Sequence, residues 1–300
     1  MSTDLSASFN EQYVNINTKL KKRIMRKPNV SEATKHEFIG LAIQCEHSEQ
    51  PTFAGQTYIG AAKCEAAIGN FLGEAEQYIA AARQFIKAEK KLATLKFFSP
   101  DRENLEVKAA IGCFIQALSK YPEKSPIRTW ILLEIANNLI ELDHKLEAAA
   151  YFEQALETLQ EDNMMKVTCL HNLFNLQIDC EKYDIALRTG NTIVDSKHPL
   201  PGKLLSELQV SRILLGLIIE LDGKNNCESL KKLFSDLQND EDNEMMPFST
   251  DLKLKLQSII ISSRMSDHQA LLSISNEVKP YLNNLQKSLL ETLIKKKQEE

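Results

Sequence analysis

Residues 109–122, Ala-Ala-Ile-Gly-Cys-Phe-Ile-Gln-Ala-Leu-Ser-Lys-Tyr-Pro, decide the fold. Counted from Ala110, a small, an aromatic and a small side chain fall at positions 0, 4 and 7 as Ala110, Phe114 and Ala117, and Pro122 follows at 12. Residues four and seven apart share one helical face. The alanines let a paired helix come close, and the aromatic ring fills the space beside them. The spacing recurs at Ala148, Phe152 and Ala155, more loosely at Ala75, Ile79 and Ala82, and most loosely at Ala186, Gly190 and Ile193. The leading alanines are 35, 38 and 38 residues apart. A near-constant period of this size signals stacked helical hairpins, each leaving an apolar face that the next must cover.

The spacing, with its closing proline, is that of the second helix of a tetratricopeptide repeat, whose period is about 34 residues. First helices are legible too. Residues 130–142 place Leu132, Ile135, Ala136 and Leu139 on one face, and residues 167–179 carry Leu170, Leu173, Phe174 and Ile178. Short turns follow at Asp143-His144-Lys145 and Cys180-Glu181-Lys182. The expected fold is all-α, a tetratricopeptide-like right-handed α-solenoid of stacked hairpins. The expected layout is a disordered 1–12 and one solenoid over 13–300, clearest at 53–200 and diverged at 203–297. Residues 204–221 read as one strongly apolar helix, 236–248 as a mobile acidic loop, and 250–263 and 267–297 as the two closing helices.

Composition agrees. Gly and Pro number 10 and 9, about half the usual share, which favours long helices. Hydrophobic residues make up 43% and charged residues 26%, enough to bury a large core. A net charge of −5 gives no general attraction to nucleic acid. The longest uncharged apolar run, Ile213 to Ile219, is too short to span a bilayer. Met1 to Asn10 lacks an apolar signal core, so the expected location is the cytoplasm or nucleus. The six widely spaced cysteines read as free core thiols.

Two family resemblances attach to particular residues. The stretch Ala54-Gly55-Gln56-Thr57-Tyr58-Ile59-Gly60-Ala61-Ala62, continuing into 74–85, resembles the helical repeats of soluble NSF attachment proteins (SNAPs). Lys19-Leu20-Lys21-Lys22-Arg23-Ile24-Met25-Arg26-Lys27-Pro28-Asn29-Val30 resembles the N-terminal signature of the forty-kilodalton huntingtin-associated protein family, also called factor VIII intron-encoded protein. Val210 to Leu215 and 282–293 resemble its C-terminal half, and the likeness runs from about residue 11 to 295. It implies a SNAP-like solenoid gripped by huntingtin as a heterodimer. It further implies an association with an early-endosomal Rab GTPase and vesicle motility. The vertebrate family carries a long proline-rich insertion where only Pro199-Leu200-Pro201-Gly202 stands here. Functions housed in that insertion are not carried over.

The candidate partner-binding residues are the basic cluster Lys19, Lys21, Lys22, Arg23, Arg26 and Lys27, together with Arg212. The cluster suits an acidic partner. A localisation signal and a plain solvated face are the other readings. Leu20, Ile24 and Ile16 are expected to dock it on the first repeat. The acidic residues Asp236, Asp240, Glu241, Asp242 and Glu244 lack calcium-loop spacing and read as a solvated loop. Cys45 and His47 have no second pair at zinc spacing. Asn137 and Asn175 sit where some tetratricopeptide proteins clamp a terminal carboxylate, but Leu133 and His171 occupy the lysine positions. No phosphate-cradling glycine loop occurs. The expected activity is therefore non-catalytic: a scaffold that binds and stabilises huntingtin, without cofactor or metal. A SNAP-like adaptor in vesicle fusion is the alternative, which the C-terminal lysines and glutamates disfavour. A helical enzyme stands third.

Overall fold

The computed structural model describes residues 2–23, 28–94, 104–159, 164–196, 199–219, 228–239, 246–265 and 267–299. Every regular element among them is helical. They are α1 Ser2–Arg23, α2 Pro28–His47, α3 Pro51–Ile68, α4 Phe71–Thr94, α5 Leu105–Leu118, α6 Pro126–Glu141, α7 Lys145–Thr158, α8 Met164–Asp179, α9 Tyr183–Val194, α10 Gly202–Ile218, α11 Glu228–Gln238, α12 Thr250–Arg264, α13 His268–Val278 and α14 Asn284–Glu299, with a 3₁₀ turn at Lys279–Tyr281. Where one array over 13–300 was expected, the chain divides into two compact units, Met1–Asp143 and His144–Glu300.

The hairpins share a local device. Glu49, Gly69, Asp143 and Glu181 stand at positive φ just past α2, α3, α6 and α8. After three of these helices the next N–H turns back on the helix end: Gln50 donates to the Cys45 carbonyl, Asn70 to that of Glu65 and Lys182 to that of Gln177, at 2.9, 3.0 and 2.9 Å. These bonds satisfy carbonyls that the helix leaves open and reverse the chain within two residues. Pro51 and Pro126 open α3 and α6, where a missing N–H costs nothing.

In the first unit each helix packs on its chain neighbours. Polar contacts then tie alternate helices. Glu46 of α2 accepts from Gln84 of α4, and the guanidinium of Arg83 on α4 donates to both oxygens of Glu134 on α6 at 2.7 and 2.9 Å. Thus α2, α4 and α6 share one layer, and α3 and α5 the other. This two-layer stacking is consistent with an α-solenoid. Ala75, Ile79 and Ala82 therefore lie in the layer of first helices, not on a second helix as their spacing suggested. Close approach comes from glycine slots in α3. A Cβ on Gly60 would stand 2.8 Å from the Phe38 ring, and one on Gly55 2.9 Å from Phe85.

The repeat triplets are core. Ala110, Phe114, Ala117, Ala148, Phe152, Ala155, Ala186 and Ile193 are all buried. Each such aromatic contributes about 1.5–3 kcal/mol by burial. Gly190 stands where the others carry a large side chain. Phe174 of α8 and Arg212 of α10 fill its space, the nearest atoms 2.9 and 3.3 Å from where a Cβ would be.

In the second unit α10 is the hub. It is buried without interruption from Leu208 to Ile218 and packs on α9, α11, α12 and α14. A helix apolar on all sides must be enclosed. The closing helix α14 returns to lie on α10 and α8.

Three further expectations are corrected. Residues 2–12 lie within α1, because Phe9 has a docking site: its ring stacks on Phe53 with centroids 4.4 Å apart. Residues 236–238 close α11, and Asp236 and Leu237 are buried, so the acidic loop does not begin there; residues 240–245 lie outside the described residues. The last stretch forms two helices rather than one, interrupted at Lys279-Pro280-Tyr281, where proline cannot continue the ladder.

Candidate partner-binding surfaces

Lys19, Lys21, Lys22 and Arg23 of the basic cluster belong to α1, which is held through Phe9, Tyr13 and Ile16 at helical spacing. Ile16 is buried, and the Tyr13 ring lies 5.7 Å from that of Phe38. Ile16 thus packs in one cluster with residues of α2 and α3. The side chain of Leu20 and all of Ile24 lie outside the described residues. Lys19 is exposed, its Nζ 3.0 Å from a Glu37 carboxylate oxygen on α2. Both partners are solvated, so this pair contributes no more than about 1 kcal/mol. Lys21, Lys22 and Arg23 occupy the last turn of α1. Arg26 and Lys27 lie outside the described residues.

Arg212 is not a surface residue. It is 0% exposed. Its Nε donates to Asn191 Oδ1 at 2.9 Å, and its two terminal nitrogens donate to Gln209 Oε1 at 2.6 Å and Ser229 Oγ at 2.8 Å. A guanidinium tolerates burial only when its fork of donors meets acceptors, and α9, α10 and α11 each supply one. Arg212 therefore ties three helices of the second unit together. The expectation that it contacts a partner is corrected. The sequence held one signal for this role: Gly190, the missing large side chain of the last repeat.

The remaining candidates separate. Asn137 is exposed and Asn175 half-buried, while Leu133 is core. It is Asn138, not Asn137, that accepts from Lys90. Burial holds the half-buried His171 imidazole below its usual range, against a smaller upward pull from Glu207. Burial pushes the Cys45 thiol up, whereas His47 is exposed. Among the described residues no group of three or more His, Cys, Asp or Glu is placed to hold a metal ion. No helix among them is long and apolar enough to cross a membrane.

One surface went unread in the sequence. On α12 the large side chains of Leu254, Ile261 and Met265 are 54%, 54% and 75% exposed, while Leu252, Leu256, Ile259 and Ile260 of the same helix are buried. The helix is apolar on two faces, and sequence periodicity registers only that it is apolar. The one Trp of the chain, Trp130, is also 59% exposed, at the start of α6.

No protein-family model matches the chain. Over 154 residues it is 29% identical to the 40-kDa huntingtin-associated protein of Rattus norvegicus, and to the same extent to that of Mus musculus. The matches support a distant family relationship. They cover 51% of this chain, which spans 40% of the relatives' own length. The expected resemblance to the huntingtin-associated family agrees with this likeness across about half the chain. By its name, that relative associates with huntingtin.

Proposed function

We propose that this protein is a non-catalytic binding partner of huntingtin. The observation that carries the reading is the 29% identity over 154 residues to the 40-kDa huntingtin-associated protein. The helical architecture supports it. The two layers of stacked helices in the first unit offer a face for another helical-repeat surface, and large apolar side chains stand uncovered on α6 and α12. In this reading the packing is that of a right-handed, tetratricopeptide-like (SNAP-like) array. The two proteins form a heterodimer and stabilise each other by mutual burial. The basic cluster that includes the exposed Lys19 serves to recognise acidic groups of a partner. The role extends to linking huntingtin with early endosomes through a Rab GTPase, which places the protein in the cytoplasm and at that membrane surface, with a nuclear pool.

The test is a pull-down of the tagged full chain from lysate of its own organism, read by mass spectrometry. Recovery of huntingtin at near one-to-one stoichiometry is expected. Recovery of the membrane-fusion ATPase with its SNARE substrates, and no huntingtin, contradicts the reading and favours a fusion adaptor.

A further inference from the structure

On α12, Leu254, Ser258, Ile261 and Met265 follow one another at steps of four, three and four residues, which places them in one stripe along the helix. Three of the four are large apolar groups more than half exposed. Leu272 of α13, which packs on α12, and Tyr281 of the 3₁₀ turn are exposed as well. Steps of three and four are the spacing at which one helix receives the knobs of another. The complementary occupant is therefore a helix with its own apolar stripe.

The charges beside the stripe fix the chemistry further. Arg264 lies over the Phe234 ring of α11, its guanidinium carbon 5.8 Å from the ring centroid, and Lys231 is one turn before Phe234 on the same helix. Neither cation forms an ion pair among the described residues. Two carboxylates near the stripe are already engaged, whereas Glu228 stands one turn before Lys231 on α11. Asp251 accepts from Lys255 at 2.7 Å and from the Tyr281 hydroxyl, and Asp267 caps α13 by accepting from the Ala270 N–H at 3.0 Å. One end of the stripe thus presents available positive charge beside Ile261 and Met265.

We infer that the outer face of α12 is a docking site for an amphipathic helix of the partner protein, with acidic residues flanking its apolar stripe where it meets Arg264 and Lys231. This rests on the partner-binding reading above and names the surface that serves it. Apolar contact supplies the affinity, and the unpaired cations set direction and speed of encounter.

The experiment titrates the purified full-length protein with purified huntingtin of the same organism. It compares the wild type with Ile261→Glu/Met265→Glu and with Arg264→Glu. All three positions are exposed, so circular dichroism should match the wild type and certify the fold, with a slightly lower unfolding midpoint for Arg264→Glu, which loses its contact with the Phe234 ring. The double variant is expected to bind at least tenfold more weakly. Arg264→Glu is expected to bind about fivefold more weakly at low salt, with the gap closing as salt rises. Wild-type affinity in a correctly folded double variant overturns the α12 assignment and leaves the partner reading standing. Failure of the wild type itself to bind huntingtin overturns both. Sedimentation of the protein alone provides the remaining outcome. A wild-type dimer that the double variant converts to monomer makes the occupant a second copy and overturns the inference.

Discussion

The two units solve the same packing problem with different chemistry. In the first, closeness comes from subtraction: Gly60 and Gly55 on α3 make room for the rings of Phe38 and Phe85, and the hairpins meet over alanine. The polar contacts between its alternate helices, such as Arg83 with Glu134 and Lys90 with Glu141, stand at the surface. In the second, the corresponding space is filled by a charge. Gly190 clears room for Phe174 and for Arg212, which carries three hydrogen bonds into the interior of the unit. A second buried polar anchor lies nearby: Gln286 of α14 donates to the Glu207 carbonyl at 2.8 Å and to Ser211 at 3.3 Å, fixing the returning helix on α10. Regular hairpins rest largely on size, because each neighbour is like the last, with ion pairs to buried carboxylates such as Lys35 with Glu65 and Lys120 with Glu74 beside it. A helix that returns onto an earlier one has no such repeat to set its register, and directional hydrogen bonds supply it.

The contrast can be broken by substitution. The largest effect belongs to Arg212→Ala, which leaves a cavity and strands three acceptors. It should cost about 3 kcal/mol or more in urea unfolding. A loss under about 1 kcal/mol would mean the network adds little. Next come the glycine slots. Gly60→Ala drives a methyl group into the Phe38 ring and should cost about 1–3 kcal/mol. Gly112→Ala is its opposite: nothing lies within 4 Å of the added atom. It should stabilise α5 by about 0.5–1 kcal/mol, because alanine is the better helix former. Shifts in midpoint of opposite sign from two Gly→Ala changes, the larger at Gly60, would sharpen the size argument; two shifts of the same sign would break it.

Smaller still is the pH effect at His171. Its imidazole is held below the ordinary value of 6.5, chiefly by burial. The unfolded chain therefore takes up the proton first. The associated stability is present above the unfolded value and is lost as pH falls through the folded one. Between pH 7 and pH 5 the wild type should lose more stability than His171→Gln. A small effect is also expected of Lys19→Ala, at no more than about 1 kcal/mol, since its pair with Glu37 is solvated.

These positions also show how far the sequence can be read. The triplets around Phe114 and Phe152 were legible because close packing demands particular sizes at fixed spacing. The turns at Asp143 and Glu181 were legible because the helices on both sides were. The helical state of residues 2–12 was not, since it depends on Phe9 finding Phe53, forty-four positions along the chain. Arg212 misled for a related reason: an arginine reads as surface unless its acceptors are known, and Asn191 and Ser229 lie far from it in sequence. The α12 stripe escaped because periodicity reports how apolar a helix is, not which of two apolar faces remains uncovered. The partner, in turn, was suggested by resemblance and by no single residue.

The most direct test of the partner assignment is to mix the purified full-length protein with purified huntingtin from the same organism and weigh the product by native mass spectrometry. A one-to-one complex that persists at nanomolar concentration is the expected result. Two separate species at micromolar concentration would contradict it.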